Sequence, residues 1–259
     1  MDLQLNNRLA LVSGSTAGIG YSIAEALLRE GARVIVNGRS QAAVDAAVAR
    51  LGAGAIGFAG DLATAQAAEA VVHSHPDIDI LVNNLGIFEP KAFEDIPDED
   101  WLRFFEVNVL SGARLARLVL PGMKRRNWGR ILFISSESGV QIPAEMVHYG
   151  MTKSAQIAIA RGIAESVAGS GITVNSVLPG PTRSRGVEDF VQALAGDSGQ
   201  SFEAFEKEFF EKVRPTSLIK RFATTEEVAA MVTYLCSPLA SATTGAALRV
   251  DGGTVKSAF

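Results

Sequence analysis

The stretch that most narrows the possible folds covers residues 8–31. An apolar run of strand length, RLALVS (8–13), enters Gly14-Ser15-Thr16-Ala17-Gly18-Ile19-Gly20. A helical pattern follows, with Ile23 and Leu27 on one face and Gly31 as its stop. Glycines between a strand and a helix let the backbone pass close to a bound anion, and the helix N-terminus adds free N–H groups and the positive end of its dipole. The alternation then repeats. RVIVN (33–37) precedes an alanine-rich helix over 41–51, AIGFAG (55–60) precedes a helix starting near Thr64, and DILVNNLGIF (79–88) is a fourth strand. RILFIS (130–135) and ITVNSVLPG (172–180) continue the series, and a capped helix from TTEEVAAMVTYLCSP leads to a last strand in GAALRVDGG. Near-continuous apolar strands alternating with helices imply an α/β fold, a doubly wound parallel β-sheet with helices on both faces. Such sheets hold ligands at the carboxyl ends of their strands. Gly14 to Gly20, Asn83, Ser136 and Pro179 all fall at such ends. No repeat, low-complexity tract or linker divides the 259 residues, so one domain over 1–259 is expected. Its irregular segment at about 185–220, with Phe190, Phe202, Phe205, Phe209 and Phe210, reads as packed helix or as a lid over an apolar substrate.

The chemistry concentrates between Ser136 and Lys153. Tyr149 and Lys153 lie four residues apart on a helix, so both side chains leave one face a turn apart. An ammonium beside a phenol favours the phenolate, which predicts a lowered pKa and a tyrosine able to exchange its proton near neutral pH. Ser136, at the end of the RILFIS strand, can meet that phenol over one substrate oxygen. Taken singly, these residues are an ordinary loop hydroxyl, an amphipathic helix residue and a solvated lysine. Glu137, Glu145 and His148 flank them and read as exposed polar positions near a helix start. Asp98 reads as the cap of a long helix whose apolar stripe holds Trp101, Phe105, Gly112, Ala116 and Val119, with Asn108 on the same stripe and in need of a hydrogen-bond partner.

Together, the serine, the Y-x-x-x-K and their thirteen-residue separation resemble the short-chain dehydrogenase/reductase family, and the G-x-x-x-G-x-G turn is that family's form of the glycine motif. The likeness extends over nearly the whole chain and implies a Rossmann-like sheet and a nicotinamide-dependent oxidoreductase, in the manner of 3-oxoacyl-[acyl-carrier-protein] reductases. It implies Asn108, Ser136, Tyr149 and Lys153 as the catalytic set: Tyr149 as proton donor, Ser136 on the substrate oxygen, Lys153 on the nicotinamide ribose, and Asn108 holding a water in a proton relay. By the same resemblance the cofactor lies along Gly14, Ser15, Thr16, Gly18, Ile19 and Gly20, then Asp61 and Leu62 at the adenine, and Asn84 and Gly86 beside the ribose. Tyr149, Lys153, Pro179, Gly180, Thr182 and Ser184 complete that set, the last two competing for the carboxamide. Leu85 stands where the family pattern Asn-Asn-Ala-Gly has alanine. After RVIVN the chain has Arg39 and Ser40 and no acidic residue before Asp45, which favours NADP(H) over NAD(H) without excluding the latter, because an arginine suits a ribose 2′-phosphate.

The charge and the cysteine count bound what else the chain can be. A net charge of −4 with scattered Lys and Arg provides no basic stripe for nucleic acid. Cys236 is alone, so no internal disulfide forms, and three His at non-ligand spacing leave no metal site in view. No run reaches the roughly 18 apolar residues of a membrane span, and a cytoplasmic location is expected. The small residues Ala155, Ala158 and Gly162 permit close helix contact, and the family implies a homo-oligomer, a tetramer. The substrate is then a small carbonyl or alcohol, with sugar, steroid or hydroxy-acid dehydrogenases sharing every motif. A non-catalytic nucleotide-binding regulator and a scaffold docking through the Phe-rich segment are the alternatives.

Overall fold

The computed structural model describes residues 2–184 and 201–258. The first half alternates β1 (Leu9–Val12), α1 (Gly18–Arg29), β2 (Arg33–Gly38), α2 (Gln41–Leu51), β3 (Ala55–Ala59), α3 (Ala65–Ser74) and β4 (Ile80–Asn83). Then come α4 (Asp98–Phe104), α5 (Ser111–Arg126), β5 (Gly129–Ile134), α6 (Val147–Ser166), β6 (Ile172–Pro179) and β7 (Thr182–Arg183). After α7 (Phe202–Glu208), β8 (Ala223–Thr224) and α8 (Thr225–Cys236), the chain ends its sheet with β9 (Ala247–Val250). Seven strands form one parallel sheet in the order β3-β2-β1-β4-β5-β6-β9. The chain winds outward from β1 to β3 and returns to β4 on the other side of β1. That reversal opens a crevice at the carboxyl ends of β1 and β4.

The strand residues alternate between two cores, as the pleat requires. Ala10, Val12, Val34 and Val36 pack with Ile23 and Leu27 of α1 and Val228, Val232 and Leu235 of α8. Leu9, Leu11 and Ile35 face the other way, onto Ala68 and Val71 of α3, Leu115 and Val119 of α5, and Ala160 of α6. The carboxyl ends are left clear of both layers because the helices run back antiparallel to the strands. Cys236 lies in the first core, and burial pushes its thiol up to about 12, so it is an inert hydrophobe. No helix among the described residues is long and apolar enough to cross a membrane.

Two details differ from the sequence reading. Asp98 does not cap α4: Pro97 is the N-cap, and Asp98, Glu99 and Asp100 fill the first turn, where carboxylates oppose the positive end of the helix dipole. Between α4 and α5 the helix widens into π turns over Phe105–Leu110. The wider turn breaks the expected stripe: Phe105 turns outward and is 44% exposed, while Asn108 is fully buried. In the Phe-rich segment, Phe190 lies outside the described residues. Phe205, Phe209 and Phe210 of α7 and the π turn after it cluster with Phe222, with Phe209 and Phe210 centroids 5.0 and 5.1 Å from it.

Candidate active site

The glycine turn is built around two left-handed residues, Gly14 at φ +62° and Gly18 at φ +58°. Gly20 is required for a different reason: a Cβ there would stand 2.5 Å from both the Gly14 carbonyl oxygen and the Asn84 side-chain nitrogen. Ser15 ties the turn to the sheet, its hydroxyl donating to the Val12 carbonyl at 2.7 Å and accepting from the Asn37 N–H at 2.9 Å. The N-cap of α1 is Ala17, which has no side chain to satisfy the helix's first N–H groups, and no acidic residue sits in the first turn. A bare, positive helix end behind a cradle with no room for side chains fits a pyrophosphate. Around it, the Thr16 side chain packs against Gly38, and Arg39 is exposed at the end of β2. Ser40 caps α2 by accepting from Ala43 N–H, and Asp61 accepts from Ala63 N–H at 3.0 Å. Leu62 is buried in the core beneath them and does not line the cavity.

The crevice opens into a cavity of about 640 Å³. Of the residues singled out in the sequence, Ile19, Asn84, Gly86, Ser136, Tyr149, Lys153, Pro179, Gly180, Thr182 and Ser184 all line it. Asn84 spans its floor, donating to the carbonyls of Ser13 and Gly14 at 3.0 Å each. Thr182 donates to the Gly180 carbonyl at 2.9 Å.

Ser136 is placed by extension of β5, and α6 is held against it because the Ser135 hydroxyl donates to the Lys153 carbonyl at 2.8 Å. Lys153 is buried and donates to the Ile134 carbonyl at 2.9 Å and to Gln156 Oε1 at 3.3 Å. Its Nζ is 5.5 Å from the centroid of the Tyr149 ring. The expectation that this lysine lowers the tyrosine pKa is therefore corrected. Burial raises the Tyr149 phenol above its ordinary value, opposed by a hydrogen bond with Ser136, and burial alone pulls Lys153 down to about 7. Desolvation acts on both groups and favours the neutral form of each. Asn108 lies behind them with its side chain fully used: Oδ1 accepts from Ile87 N–H at 2.7 Å, and Nδ2 donates to the Ile87 carbonyl at 2.9 Å and Thr152 Oγ1 at 3.0 Å. Its backbone carbonyl accepts from Gln156 Nε2 at 2.5 Å. Gln156 thus bridges Lys153 to Asn108 directly.

The polar neighbours of the serine differ from the sequence reading. Glu137 is buried, not exposed, and its Oε2 accepts from the Ser136 hydroxyl at 2.5 Å, Ser138 N–H at 2.5 Å and the Ser138 hydroxyl at 2.8 Å. Its Oε1 meets Arg214 Nε at 3.3 Å, and Arg214 Nη1 also reaches Glu145 at 3.2 Å. His148 is also buried, tilted at 50° against Phe104 with centroids 4.1 Å apart and edge-on to Trp101. Neither of its ring nitrogens has a hydrogen-bond partner among the described residues. Only Glu145 of the three is exposed. Sequence reasoning missed Gln156, although its position three residues after Lys153 puts it on the same helix face. Arg214 carried no signal, because its partner is 77 residues away.

A family model described as enoyl-(acyl carrier protein) reductase matches residues 14–255. A solved protein described as a short-chain dehydrogenase/reductase family protein is 33% identical, with 98% of each chain covered and a TM-score of 0.85. The chain belongs to the short-chain dehydrogenase/reductase family. With that membership comes its class, an NAD(P)-dependent oxidoreductase. Within the family it is similar to YvrD of Bacillus subtilis (strain 168), described as an uncharacterized oxidoreductase, at 50% identity over 99% of this chain and 100% of the relative. It also resembles the L-sorbose reductase of Gluconobacter frateurii, solved in complex with NADPH and L-sorbose, at 32% identity, a TM-score of 0.94, and 99% and 100% coverage.

Proposed function

We propose that this protein reduces an uncharged ketone with NADPH, reversibly, using Tyr149 as the proton donor. The observation that carries the proposal is one cavity: Ser136, Tyr149 and Lys153 converge in it, and the bare N-terminus of α1 opens beside it. The nicotinamide, when bound, supplies the hydride. Tyr149 gives its proton to the carbonyl oxygen as that oxygen gains charge, and burial delivers the phenol to the reaction protonated. Ser136 lies against the same oxygen and fixes its position. Lys153, held by the Ile134 carbonyl and Gln156, holds the nicotinamide ribose, and Asn108 orders the segment behind it. Arg39, exposed at the end of β2 with no carboxylate next to it in the chain, supports NADP(H) over NAD(H), as does the likeness to a reductase solved with NADPH.

The cavity's rim bears on the substrate. Among the described residues at the rim, Lys212 is paired with Glu208 at 2.7 Å and Arg214 with Glu137 and Glu145, so these two cations already face carboxylates. A substrate carboxylate would find acidic neighbours there, which favours a neutral ketone, hydroxylated as in L-sorbose or apolar. A further part of the proposal is a homotetramer, supported by the apolar groove that Ala113, Ala116 and Leu120 of α5 form with Ile159 and Ile163 of α6. The test is NADPH and NADH oxidation with L-sorbose, cyclohexanone, acetoacetate and an acetoacetyl thioester, for the protein and for Tyr149→Phe. The expected result is turnover of a neutral ketone with NADPH, and a loss of about 10³-fold or more in Tyr149→Phe with NADPH affinity retained. Preference for acetoacetate would overturn the substrate reading, and full activity in Tyr149→Phe the mechanism.

A further inference from the structure

We propose that Gln156 is a positioning residue for the reaction, acting through Lys153: its side-chain amide, locked by the backbone carbonyl of Asn108, holds the ammonium turned so that its remaining N–H faces the cavity. The donors and acceptors around the amide admit one arrangement. A lysine ammonium only donates and a backbone carbonyl only accepts. The amide therefore sets its oxygen on Lys153 Nζ at 3.3 Å and its nitrogen on the Asn108 carbonyl at 2.5 Å. Turned over, it would put N–H against ammonium and carbonyl against carbonyl.

Gln156 is 1% exposed and lies three residues after Lys153, so both leave α6 on one face. Of the three ammonium hydrogens, one goes to the Ile134 carbonyl at 2.9 Å and one to Gln156. The third is left for the cavity, which Lys153 lines beside Gly86; a Cβ at Gly86 would stand 3.5 Å from Nζ. Two acceptors from two elements, β5 and α6, thus define the direction of that third hydrogen. The anchor of the amide is itself fixed, because the Asn108 side chain is tied to Ile87 and Thr152.

This inference rests on the ketone-reductase reading, in which the third N–H holds the nicotinamide ribose, and deepens it. A hydrogen bond accepted from the ammonium also favours its charged form, against the burial that pulls Lys153 down to about 7. Among the described residues, the groups facing Nζ are Tyr149 on the same helix, Ile134 of β5, Asn108 of the π turns and Gly86 after β4. None of them carries a negative charge at neutral pH. Glu137 and Arg214 act on Tyr149 and not on Lys153. Because burial keeps Tyr149 protonated, the alkaline loss of NADPH affinity and of turnover reports Lys153, and Gln156 sets the pH at which it falls.

The test is the pH dependence of NADPH affinity, by fluorescence titration across pH 6–10, and of kcat/KM for whichever ketone of the panel turns over. Both are measured for the protein, Gln156→Leu and Gln156→Glu. In Gln156→Leu no acceptor remains, so the alkaline limb should move down by about one pH unit. In Gln156→Glu a carboxylate meets the ammonium, so the limb should move up by at least about one unit. In Lys153→Met the limb of the NADPH titration should vanish, which assigns it to the lysine. A Gln156 that served packing alone would lower the amplitude in both variants and leave the limb in place. Limbs that coincide in the protein and both Gln156 variants, that move the same way in both variants, or that persist in Lys153→Met would overturn the proposal. Failure of every ketone would instead refute the ketone-reductase reading, and the NADPH titrations would still decide the role of Gln156.

Discussion

Replacing Lys153 with methionine should make the nucleotide-free protein more stable while abolishing turnover. Burial alone carries this lysine from 10.5 to about 7. A depressed folded-state pKa means that stability is present above the unfolded value and lost as pH falls through the folded one. At about 1.4 kcal/mol per pH unit, the displacement corresponds to a penalty of up to about 5 kcal/mol at pH 6, shrinking to about 2 kcal/mol at pH 9. Methionine fills a similar volume without charge. Its cost is two buried acceptors left without a donor, the Ile134 carbonyl and Gln156 Oε1, at about 1–2 kcal/mol each. The net expectation is a variant about 2 kcal/mol more stable at pH 6, with the advantage gone near pH 9. Urea unfolding followed by tryptophan fluorescence at pH 6, 7.5 and 9 measures it. A methionine variant less stable at pH 6, or a difference independent of pH, would refute the reasoning that burial dominates at this position.

Three further outcomes follow from the geometry. Gly20→Ala places a methyl group 2.5 Å from the Gly14 carbonyl oxygen, so NADPH binding by fluorescence titration should weaken at least about tenfold, with about 1–3 kcal/mol lost in stability. Gln156→Leu cuts the bridge between Lys153 Nζ and the Asn108 carbonyl, so kcat should fall about tenfold with the ketone KM little changed, as steady-state kinetics would show. His148→Leu removes a buried ring whose pKa is lowered by desolvation and whose nitrogens have no partner among the described residues. Stability should be equal or higher, and the part of the wild-type decline below about pH 6.5 that comes from this histidine should disappear from unfolding curves across pH 5–8.

The pattern of what the sequence revealed has a physical basis. The strand, the Gly14–Gly20 turn and α1 are consecutive, as are Ser136, Tyr149 and Lys153, so local spacing alone places them. Glu137 and His148 were misread because their burial depends on elements distant in the chain: Arg214 covers one, and Phe104 and Trp101 cover the other. The Lys153 to Tyr149 interaction was misread for a related reason. Spacing on a helix puts both residues on one face, but the lysine's direction is set by the Ile134 carbonyl of β5 and by Gln156. The π turns over Phe105–Leu110 leave no mark in composition, since widening a turn requires no special residue type.

Those widened turns carry a consequence for how the chain can change length. Each residue of a helix advances its successors by about 100°. Deleting one position between Trp101 and Leu110 would bring Arg117 into the place of Ala116 against the sheet, and inserting one would bring Arg114 into the place of Leu115, with the same displacement running through α5 to Arg126. Insertions and deletions should therefore be tolerated in the loops on either side and rejected within this span, and a scan of single-residue deletions from Asp98 to Asn127 would map that boundary directly.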